Sequence, residues 1–381
     1  MRKYFEKDGP LEWLYPVYDM IETMFFVRPE KTVSGAHIRD NYDIKRMMAL
    51  VIVACFPAML FGIYNTGYQY YVSAGITPSP WACILSGARA VLPVYVVVYA
   101  VGGFWEVLFA LVRRHEIKEA FLVTGFFIPL ILPPAIPLWM VAVATSFGVV
   151  IGKEVFGGTG MNIFNPALVT RAFIFFAYPA SISGDGVWTL QNAGSVDAYT
   201  GATPLGIASS GIKGDIVRVL SERGYSFYEM FIGLIPGSVG ETSTAAILAG
   251  AFLLLVTGVA SWRIMLSVAA GGLLTGLVMN MFASSASGML SLPPHYHLVM
   301  GSFAFGAVFM ATDPVSASAT NAGKYVYGFL IGALTVLIRV VNPAYPEGMM
   351  LSVLFMNAFA PVIDNVVIWR STRRRRMRAQ G

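Results

Sequence analysis

The chain has 381 residues, of which 56% are hydrophobic and only 12% are charged. Soluble domains carry charge on about a quarter of their residues, so the composition excludes an ordinary soluble globular protein. No charged residue occurs from Met47 to Ala88 or from Ala120 to Gly152. Each of these runs is longer than the roughly 20 residues that cross a bilayer as a helix. The sequence therefore predicts an all-α polytopic membrane protein.

The formal net charge of +5 comes largely from the two ends of the chain. Residues 1–46 mix aromatic side chains with Lys, Arg and Glu, which is typical of an interfacial segment on a membrane and not of a cleaved signal peptide. Residues 370–381 form a basic tail. We interpret these charges as determinants of orientation and expect no nucleic-acid partner. The two cysteines, Cys55 and Cys83, have neither a metal-site spacing nor a disulfide framework.

Ten apolar spans can be placed in chain order, in two groups of five. The first group is predicted at about 47–65, 84–112, 119–133, 138–152 and 162–179. The second group is predicted at about 244–260, 264–283, 297–311, 325–341 and 349–369. Because each group has an odd number of helices, two related halves would be inverted in the membrane. The predicted pieces are therefore the segment 1–46, a first repeat 47–179, a polar excursion 180–243, a second repeat 244–369 and the tail 370–381.

Lys and Arg are distributed unevenly between the two sides of the predicted bundle. Four short connections contain neither residue: 66–83, 133–137, 284–296 and 342–348. The positive-inside rule therefore predicts that these connections lie outside and that both termini are cytoplasmic. The excursion 180–243 then lies outside as well.

The excursion contains one short polar motif, Asp197-Ala-Tyr-Thr-Gly-Ala-Thr203. It joins a carboxylate and the hydroxyls of Thr200 and Thr203 around two small residues, Gly201 and Ala202. Such residues also form ordinary turns, which is the alternative interpretation. The motif resembles the D-x-x-[ST]-G-A-T pattern of flavinylated membrane redox subunits, in which the last Thr carries FMN through a phosphoester. That resemblance implies covalent FMN on Thr203.

A glycine-rich loop joins the fourth and fifth predicted spans, from Lys153 to Ala167. Its glycines permit close approach of a ligand to the backbone. The amides of Asn162 and Asn165 offer the donors and acceptors that can read the uracil-like edge of a flavin. A phosphate-binding loop, or a tight turn that opens a helix at Pro166, is the alternative. The loop lacks the Gly-Lys-Ser/Thr sequence of a Walker A motif.

Several further segments carry a resemblance to one known family. They are Asp43–Arg46, Phe56–Met59, Gly102–Glu106, Gly152–Gly160, Asn165–Leu168, Phe176–Ala180, Ile182–Asp185 and Arg339–Gly348. On these residues the chain resembles the B subunits of Na⁺-translocating NADH:quinone oxidoreductases, from about residue 10 to residue 369. The resemblance implies a urea-transporter-like fold of ten helices, in a six-subunit complex of the bacterial inner membrane. That complex passes electrons from NADH to ubiquinone and exports Na⁺.

The same resemblance implies cofactors, partners and site residues. Non-covalent riboflavin would lie beside Asn162 and Asn165, and a quinone region would include Gly102, Gly103 and Glu106. The partners would be the other five subunits (A, C, D, E and F), ubiquinone, Na⁺, membrane lipid and a flavin transferase that attaches the FMN. The NADH site is not expected on this chain.

Carboxylates in apolar spans are candidates for an ion path, because an intramembrane ionisable residue is functional by default. Glu106 and Asp364 are such residues, and a carboxylate is a plausible ligand for Na⁺. Structural pairing with an intramembrane arginine, such as Arg171 or Arg339, explains them equally well. Snorkelling to the interface is a further alternative.

A midplane pathway is indicated by two short apolar stretches at matching places in the two halves, Thr124–Pro134 and Gly301–Ala311. Phe305 and Phe309 are one helical turn apart in the second stretch, so they are candidates for a hydrophobic constriction. Core packing is the alternative for this pair. Asp313 follows the same stretch, as a candidate on the ion path or as a helix N-cap.

Two other functions fit part of these observations. One is the D subunit of an Rnf-type ferredoxin:NAD⁺ oxidoreductase, which shares the fold and the flavin-bearing Thr. The long aromatic segment 1–46 argues against it, because the Rnf relatives begin close to their first span. The other is a channel of the urea-transporter type, against which the motif that ends at Thr203 argues.

Overall fold

The computed structural model describes residues 44–114, 120–190, 201–210, 215–283, 288–342 and 345–380, together with Tyr15, Tyr18 and residues 34–35. The predicted interfacial segment 1–46 lies almost wholly outside the described residues. Asp197 and Thr200 of the predicted flavin motif also lie outside them. The described ranges contain helices and no strand, which agrees with the predicted all-α class.

The helices of the described part are numbered here in chain order. They are α1 (Ile44–Ser73), α2 (Pro80–Arg113), α3 (Ala120–Leu130), α4 (Leu138–Val150), α5 (Pro166–Ala177), α6 (Pro204–Ser209), α7 (Ile216–Glu222), α8 (Phe227–Ile232), α9 (Thr244–Val256), α10 (Trp262–Met281), α11 (Tyr296–Val299), α12 (Phe303–Phe305), α13 (Asn321–Val341) and α14 (Met349–Gln380). Short 3₁₀ turns occur at Glu154–Phe156, Pro179–Ser181 and Gly288–Ser291, and a π turn follows α12 at Gly306–Met310.

Six helical stretches in the described ranges are long and apolar enough to cross a membrane. They are Arg46–Ser73, Pro80–Arg113, Leu138–Phe156, Trp262–Met281, Asn321–Val341 and Met349–Ala379. They confirm the polytopic class. Helices α3, α5 and α9 are apolar but have only 11, 12 and 13 residues. At about 1.5 Å per residue they are shorter than the roughly 30 Å of hydrocarbon, so ten full-length spans are not confirmed.

The stretch predicted as one span at 297–311 is a broken element. Helix α11 ends at Val299, and α12 begins at Phe303 and runs directly into the π turn. Between them Gly301 has a φ of +60°, a left-handed conformation that glycine adopts without a Cβ penalty. Hydropathy predicts a continuous helix here because the whole stretch is apolar. Composition does not reveal that a single residue, Gly301, has a left-handed backbone conformation.

Helices α10 and α13 pack with their backbones in close approach. A Cβ added to Gly271 would lie 2.1 Å from the Phe329 carbonyl oxygen, and one added to Gly332 would lie 2.0 Å from the Val268 carbonyl oxygen. Because apolar side chains gain little from leaving lipid, such small-residue contacts are the usual basis of helix association in membranes.

Helices α1 and α2 run antiparallel, since a Cβ on Gly67 would lie 1.9 Å from the Cys83 carbonyl oxygen and one on Gly87 would lie 1.8 Å from that of Ile63. The bundle has two ends, which these helices define. We call the end where α1 stops and α2 starts the Thr203 face. At this end Leu205 of α6 packs with Met289 and Tyr296 in a small apolar core beyond α10. We call the opposite end, where α5 begins, the Asn165 face. Helix α14 leaves the bundle there and continues through the predicted tail to Gln380, so the predicted span 349–369 and its tail form one helix.

Candidate functional site

A cavity opens at the Asn165 face, where about 760 Å³ is free of protein atoms if the solvent at its mouth is counted. Its walls come from the start of α1, from α3, from the Lys153–Ala167 loop and from the segment after the π turn. The polar and aromatic side chains that line it are Lys153, Asn162, Asn165, Asp313, Thr124, Thr159, Thr312, Phe127 and Phe309. The two amides that the sequence singles out therefore share one cavity with a carboxylate and an ammonium group.

Asn165 is the N-cap of α5. Its Oδ1 accepts hydrogen bonds from the backbone N–H groups of Ala167, at 3.0 Å, and Leu168, at 3.3 Å. Pro166 occupies the first position of the helix, where its missing N–H is harmless. The alternative interpretation of this loop, a tight turn that opens a helix at Pro166, is therefore correct for Asn165. The Asn165 amide nevertheless lines the cavity as well.

Asp313 joins the two halves of the chain through Asn165. Its Oδ2 accepts from Asn165 Nδ2 at 3.2 Å and from Ser316 Oγ at 2.9 Å, and its Oδ1 accepts from the Val315 N–H at 3.1 Å. The N-cap alternative for Asp313 is wrong, because the next helix, α13, begins only at Asn321.

Asn162 is nearly buried in the cavity wall, with 8% of its surface exposed. Its Nδ2 donates to the carbonyl oxygen of Phe164 at 2.9 Å. Within the described part of the chain, its Oδ1 accepts no hydrogen bond. Asn162 thus keeps an acceptor for a ligand, whereas both ends of the Asn165 amide already have protein partners.

Glu106 forms a buried ion pair with Lys153, with Oε1 and Nζ 2.5 Å apart. The partner is thus a lysine from the glycine loop and not one of the intramembrane arginines suggested above. The predicted quinone residue Gly102 packs against the ring of Phe121. A Cβ added to Gly102 would lie 2.1 Å from the Cζ atom of that ring. Gly103 has open space beside it instead.

Phe305 and Phe309 meet a third ring, that of Phe127 in α3. The centroid of Phe127 is 6.1 Å from each of the other two, which are 5.0 Å from one another. We call these three residues the Phe cluster. The sequence interpretation missed Phe127, although its stretch was already matched to the one that contains Phe305.

A second, smaller cavity of about 220 Å³ lies on the other side of the Phe cluster. Phe305 lines this cavity, and Phe127 and Phe309 line the larger one. Arg171 and Glu241 also line the smaller cavity and form a buried ion pair at 2.5 Å. The rings therefore separate two largely apolar cavities, each of which has charged side chains in its lining.

Two further sequence candidates have structural partners. Arg339 donates to the carbonyl oxygens of His297, at 2.7 Å, and Met300, at 2.8 Å, and so holds the broken element in place. Asp364 accepts from the backbone N–H groups of Ala319 and Thr320, at 2.8 and 2.9 Å, and from two hydroxyls. It fastens α14 to the segment before α13 and is absent from the lining of both cavities.

Thr203 lies at the other end of the molecule, as the N-cap of α6. The hydroxyl is half-buried, and its Oγ1 accepts from the Gly206 N–H at 3.0 Å. Gly201 packs against residues 185–189, since a Cβ there would lie 2.7 Å from Thr189 Oγ1. The carboxylate of Asp185 is on the same side, 3.6 Å from where a Cβ on Gly206 would be. Asp185 belongs to one of the resembling segments, but the sequence interpretation gave it no role.

Comparisons with known proteins agree on one family. The model of the NQR2, RnfD, RnfE family matches residues 31–373. The chain is 51% identical to the B subunit of the Na⁺-translocating NADH-quinone reductase of Ectopseudomonas mendocina, over 97% of this chain and 96% of the relative. It is 49% identical to the protein of that name from Chromohalobacter salexigens (99% and 95%) and 48% identical to that from Yersinia pestis (99% and 97%).

Proposed function

Because this chain belongs to the NQR2, RnfD, RnfE family, we infer that it acts as the B subunit of a Na⁺-translocating NADH:quinone reductase. The observation that carries this inference is a match at about half identity along nearly the whole of both chains. The family also includes the Rnf-type subunits, which remain the alternative. The relatives quoted above all have the quinone reductase name, which favours the first function.

We propose that the chain lies in the bacterial inner membrane as a ten-helix, urea-transporter-like bundle of two inverted repeats. The short α3 and the broken α11–α12 element support this, because their rings meet in the interior as half-helices of two repeats would. The Asn165 face would be cytoplasmic together with both termini. The Thr203 face would then lie outside.

Thr203 is the proposed attachment point of FMN. An ester at Oγ1 would keep that oxygen as an acceptor for the Gly206 N–H, so the cap and the attachment are compatible. Gly201 and Ala202 leave room at the corner that precedes it. Asp197 and Thr200 belong to the proposed site on sequence alone. Bound FMN supplies reversible electron transfer, and this chain supplies its attachment and position.

Riboflavin is proposed for the cavity at the Asn165 face. Its apolar walls and few polar groups are typical of a cofactor pocket. Asn162 would hydrogen-bond the ring edge through its unused Oδ1, and Asn165 would orient it. We keep Gly102, Gly103 and Glu106 as the proposed quinone region.

The proposed Na⁺ path runs from that cavity, past the Phe cluster, to the cavity of Arg171 and Glu241. Asp313 and Phe309 line its first part, and Phe305 lines the second. A ring constriction between two cavities is suited to gating, since it blocks water and ions until the rings separate. Asp364, in the middle of α14 and beside the start of α13, stays a candidate for the entrance. The proposed partners are ubiquinone and the other five subunits.

Covalent flavin is the test of the proposed function that needs only this chain. Thr203→Val removes the hydroxyl and should abolish the ultraviolet-fluorescent band of the protein on a denaturing gel. Ser210→Ala removes an exposed hydroxyl seven residues away and should keep the band. Fluorescence that persists in Thr203→Val would contradict the assignment. Loss of the band in both variants would indicate that the loop no longer folds.

A further inference from the structure

Arg89 is an exposed cation on the surface of a membrane-spanning helix. It lies in α2, between the outward-facing residues Leu85 and Leu92, which are 56% and 52% exposed. Among the described residues, no acidic side chain or carbonyl group accepts a hydrogen bond from Arg89. A charged group facing lipid is costly unless an anion or water compensates it. The structure thus leaves this position without its counter-charge.

The depth of Arg89 can be read from its neighbours. Helices α1 and α2 run antiparallel with Gly87 against the backbone of Ile63, as a Cβ on Gly87 would lie 1.8 Å from the Ile63 carbonyl oxygen. Trp81 is 80% exposed near the start of α2 and marks the interface on the Thr203 face. Arg89 is eight residues deeper, about 12 Å along the helix. Snorkelling carries the guanidinium part of that distance toward the phosphate layer, and local thinning of the bilayer brings the phosphate the rest of the way.

A long apolar groove adjoins Arg89. It is wide open to the surroundings of the helix, and Arg89 shares its lining with Leu85, Leu92, Val96, Val97 and Leu138. Leu138 is the first residue of α4, so the groove starts near the Thr203 face and continues toward the middle of the bundle. One cation above a strip of aliphatic side chains is complementary to a molecule with one anionic group and a long apolar chain.

We propose that this groove binds an anionic phospholipid from the leaflet at the Thr203 face. The Arg89 guanidinium donates two hydrogen bonds to the lipid phosphate, for which its planar fork is suited. One acyl chain lies along Leu92 and Val96. A partner helix with a carboxylate would also satisfy the charge, but Arg89 lies in the half of α2 nearer the Thr203 face, which favours the lipid headgroup. The proposal is independent of the flavin and ion-path assignments.

Photolabelling of the whole complex tests the site. The complex is reconstituted in phosphatidylcholine vesicles that contain phosphatidylglycerol with a diazirine on one acyl chain, and labelled peptides are identified by mass spectrometry. We expect label on the α2 peptide around Leu92, lowered about tenfold in Arg89→Gln, as for loss of a charge-assisted contact. Arg89→Lys keeps the charge and should retain most of the label. Arg263→Gln, on the opposite face, should retain all of it.

A second variant separates the groove from the charge. Leu92→Trp fills the groove and leaves Arg89 in place, so it should also lose the label. Unchanged labelling in both Arg89→Gln and Leu92→Trp would overturn the proposal. A second result would also overturn it: Arg89→Gln releases another subunit from the complex while the label on α2 stays constant. A partner chain, and not a lipid, would then cover the surface around Arg89.

Discussion

Glu106 and Lys153 are buried inside the protein as a pair, so changing one of them alone leaves an uncompensated charge. Their side chains are 8% and 3% exposed. Breaking such a pair costs about 3–5 kcal/mol, whereas replacing both partners by neutral groups is often tolerated. We therefore expect Glu106→Gln to lower the melting temperature of the purified complex clearly. The double variant with Lys153→Met should recover most of that loss.

The exposed pair Arg218–Glu222 provides a matched control, since its side chains are 78% and 61% exposed. Glu222→Gln should leave the melting temperature nearly unchanged, because exposed pairs contribute little. A Glu106→Gln complex as stable as the parent would contradict the role given to the pair. In the double variant, the quinone KM can then be measured without the loss of stability.

Asn162 gives a second residue-scale prediction. Asn162→Leu removes the unused acceptor in the cavity and should lower the riboflavin released when the complex is denatured, with covalent flavin unchanged. Asn165 is a poorer choice for this test, because its replacement also removes the cap of α5. Asn280→Leu, the same substitution in α10 and away from the cavity lining, is the control. If Asn162→Leu and the parent release equal amounts of riboflavin, the Lys153–Ala167 loop has a structural role only.

At the residue scale, the buried carboxylates are recognisable from the sequence but their partners are not. Glu106 is conspicuous because carboxylates are rare in apolar spans, but its partner Lys153 is 47 residues away in the chain. Asp364 was singled out for the same reason, yet four nearby donors in residues 318–320 satisfy it. Such pairings depend on tertiary packing, which one sequence without its fold does not contain.

The contact between α3 and the π turn is the element-scale feature with a direct functional consequence. Phe127→Ala should open a passage between the two cavities, since its ring meets those of Phe305 and Phe309. In proteoliposomes we expect faster passive Na⁺ leak and fewer Na⁺ ions transported per electron, with quinone reduction continuing. The measurement is Na⁺ retention without NADH, followed by the ratio of transport to quinone reduction.

Phe126→Ala is the matched control in the same helix. The Phe126 ring packs on Phe56 and Tyr95, at 5.6 and 5.5 Å between centroids, and takes no part in the Phe cluster. Each substitution removes a buried ring and lowers the free energy of unfolding by about 3–5 kcal/mol. A difference in Na⁺ leak between the two variants would therefore come from the position of the ring and not from lost stability. Equal Na⁺ retention in the two variants would rule out the Phe cluster as the barrier.

Elements were predictable from the sequence where length and hydropathy coincide, as in α1, α2, α10, α13 and α14. The short elements were found at the right places but given too much length. Helix α3 ends at Leu130, where the carbonyl oxygen accepts from Gly240 of a distant segment, so its last turn is completed by tertiary contact. The break at Gly301 is likewise held by Arg339, which is 38 residues farther along.

At the scale of the whole molecule, the cavities and the Thr203 loop lie at different places along one bundle. The larger cavity is at the Asn165 face, the Phe cluster is in the interior, and Thr203 is at the opposite end. This arrangement suits a protein that accompanies electron transfer with ion movement through the same helices. The family and its function could be inferred from short motifs, two of which, Gly152–Gly160 and Asn165–Leu168, contain residues that line the cavities.

The central claim is that this chain is a working part of an NADH-driven Na⁺ pump. The most direct measurement is ²²Na⁺ uptake by inverted membrane vesicles, driven by NADH, from a strain whose only complex of this type contains the chain. We expect uptake that persists with a protonophore, disappears when the chain is deleted and returns when it is restored. Uptake that is unchanged by the deletion would contradict the account. Loss of ferredoxin-dependent NAD⁺ reduction in its place would assign the chain to the Rnf-type alternative.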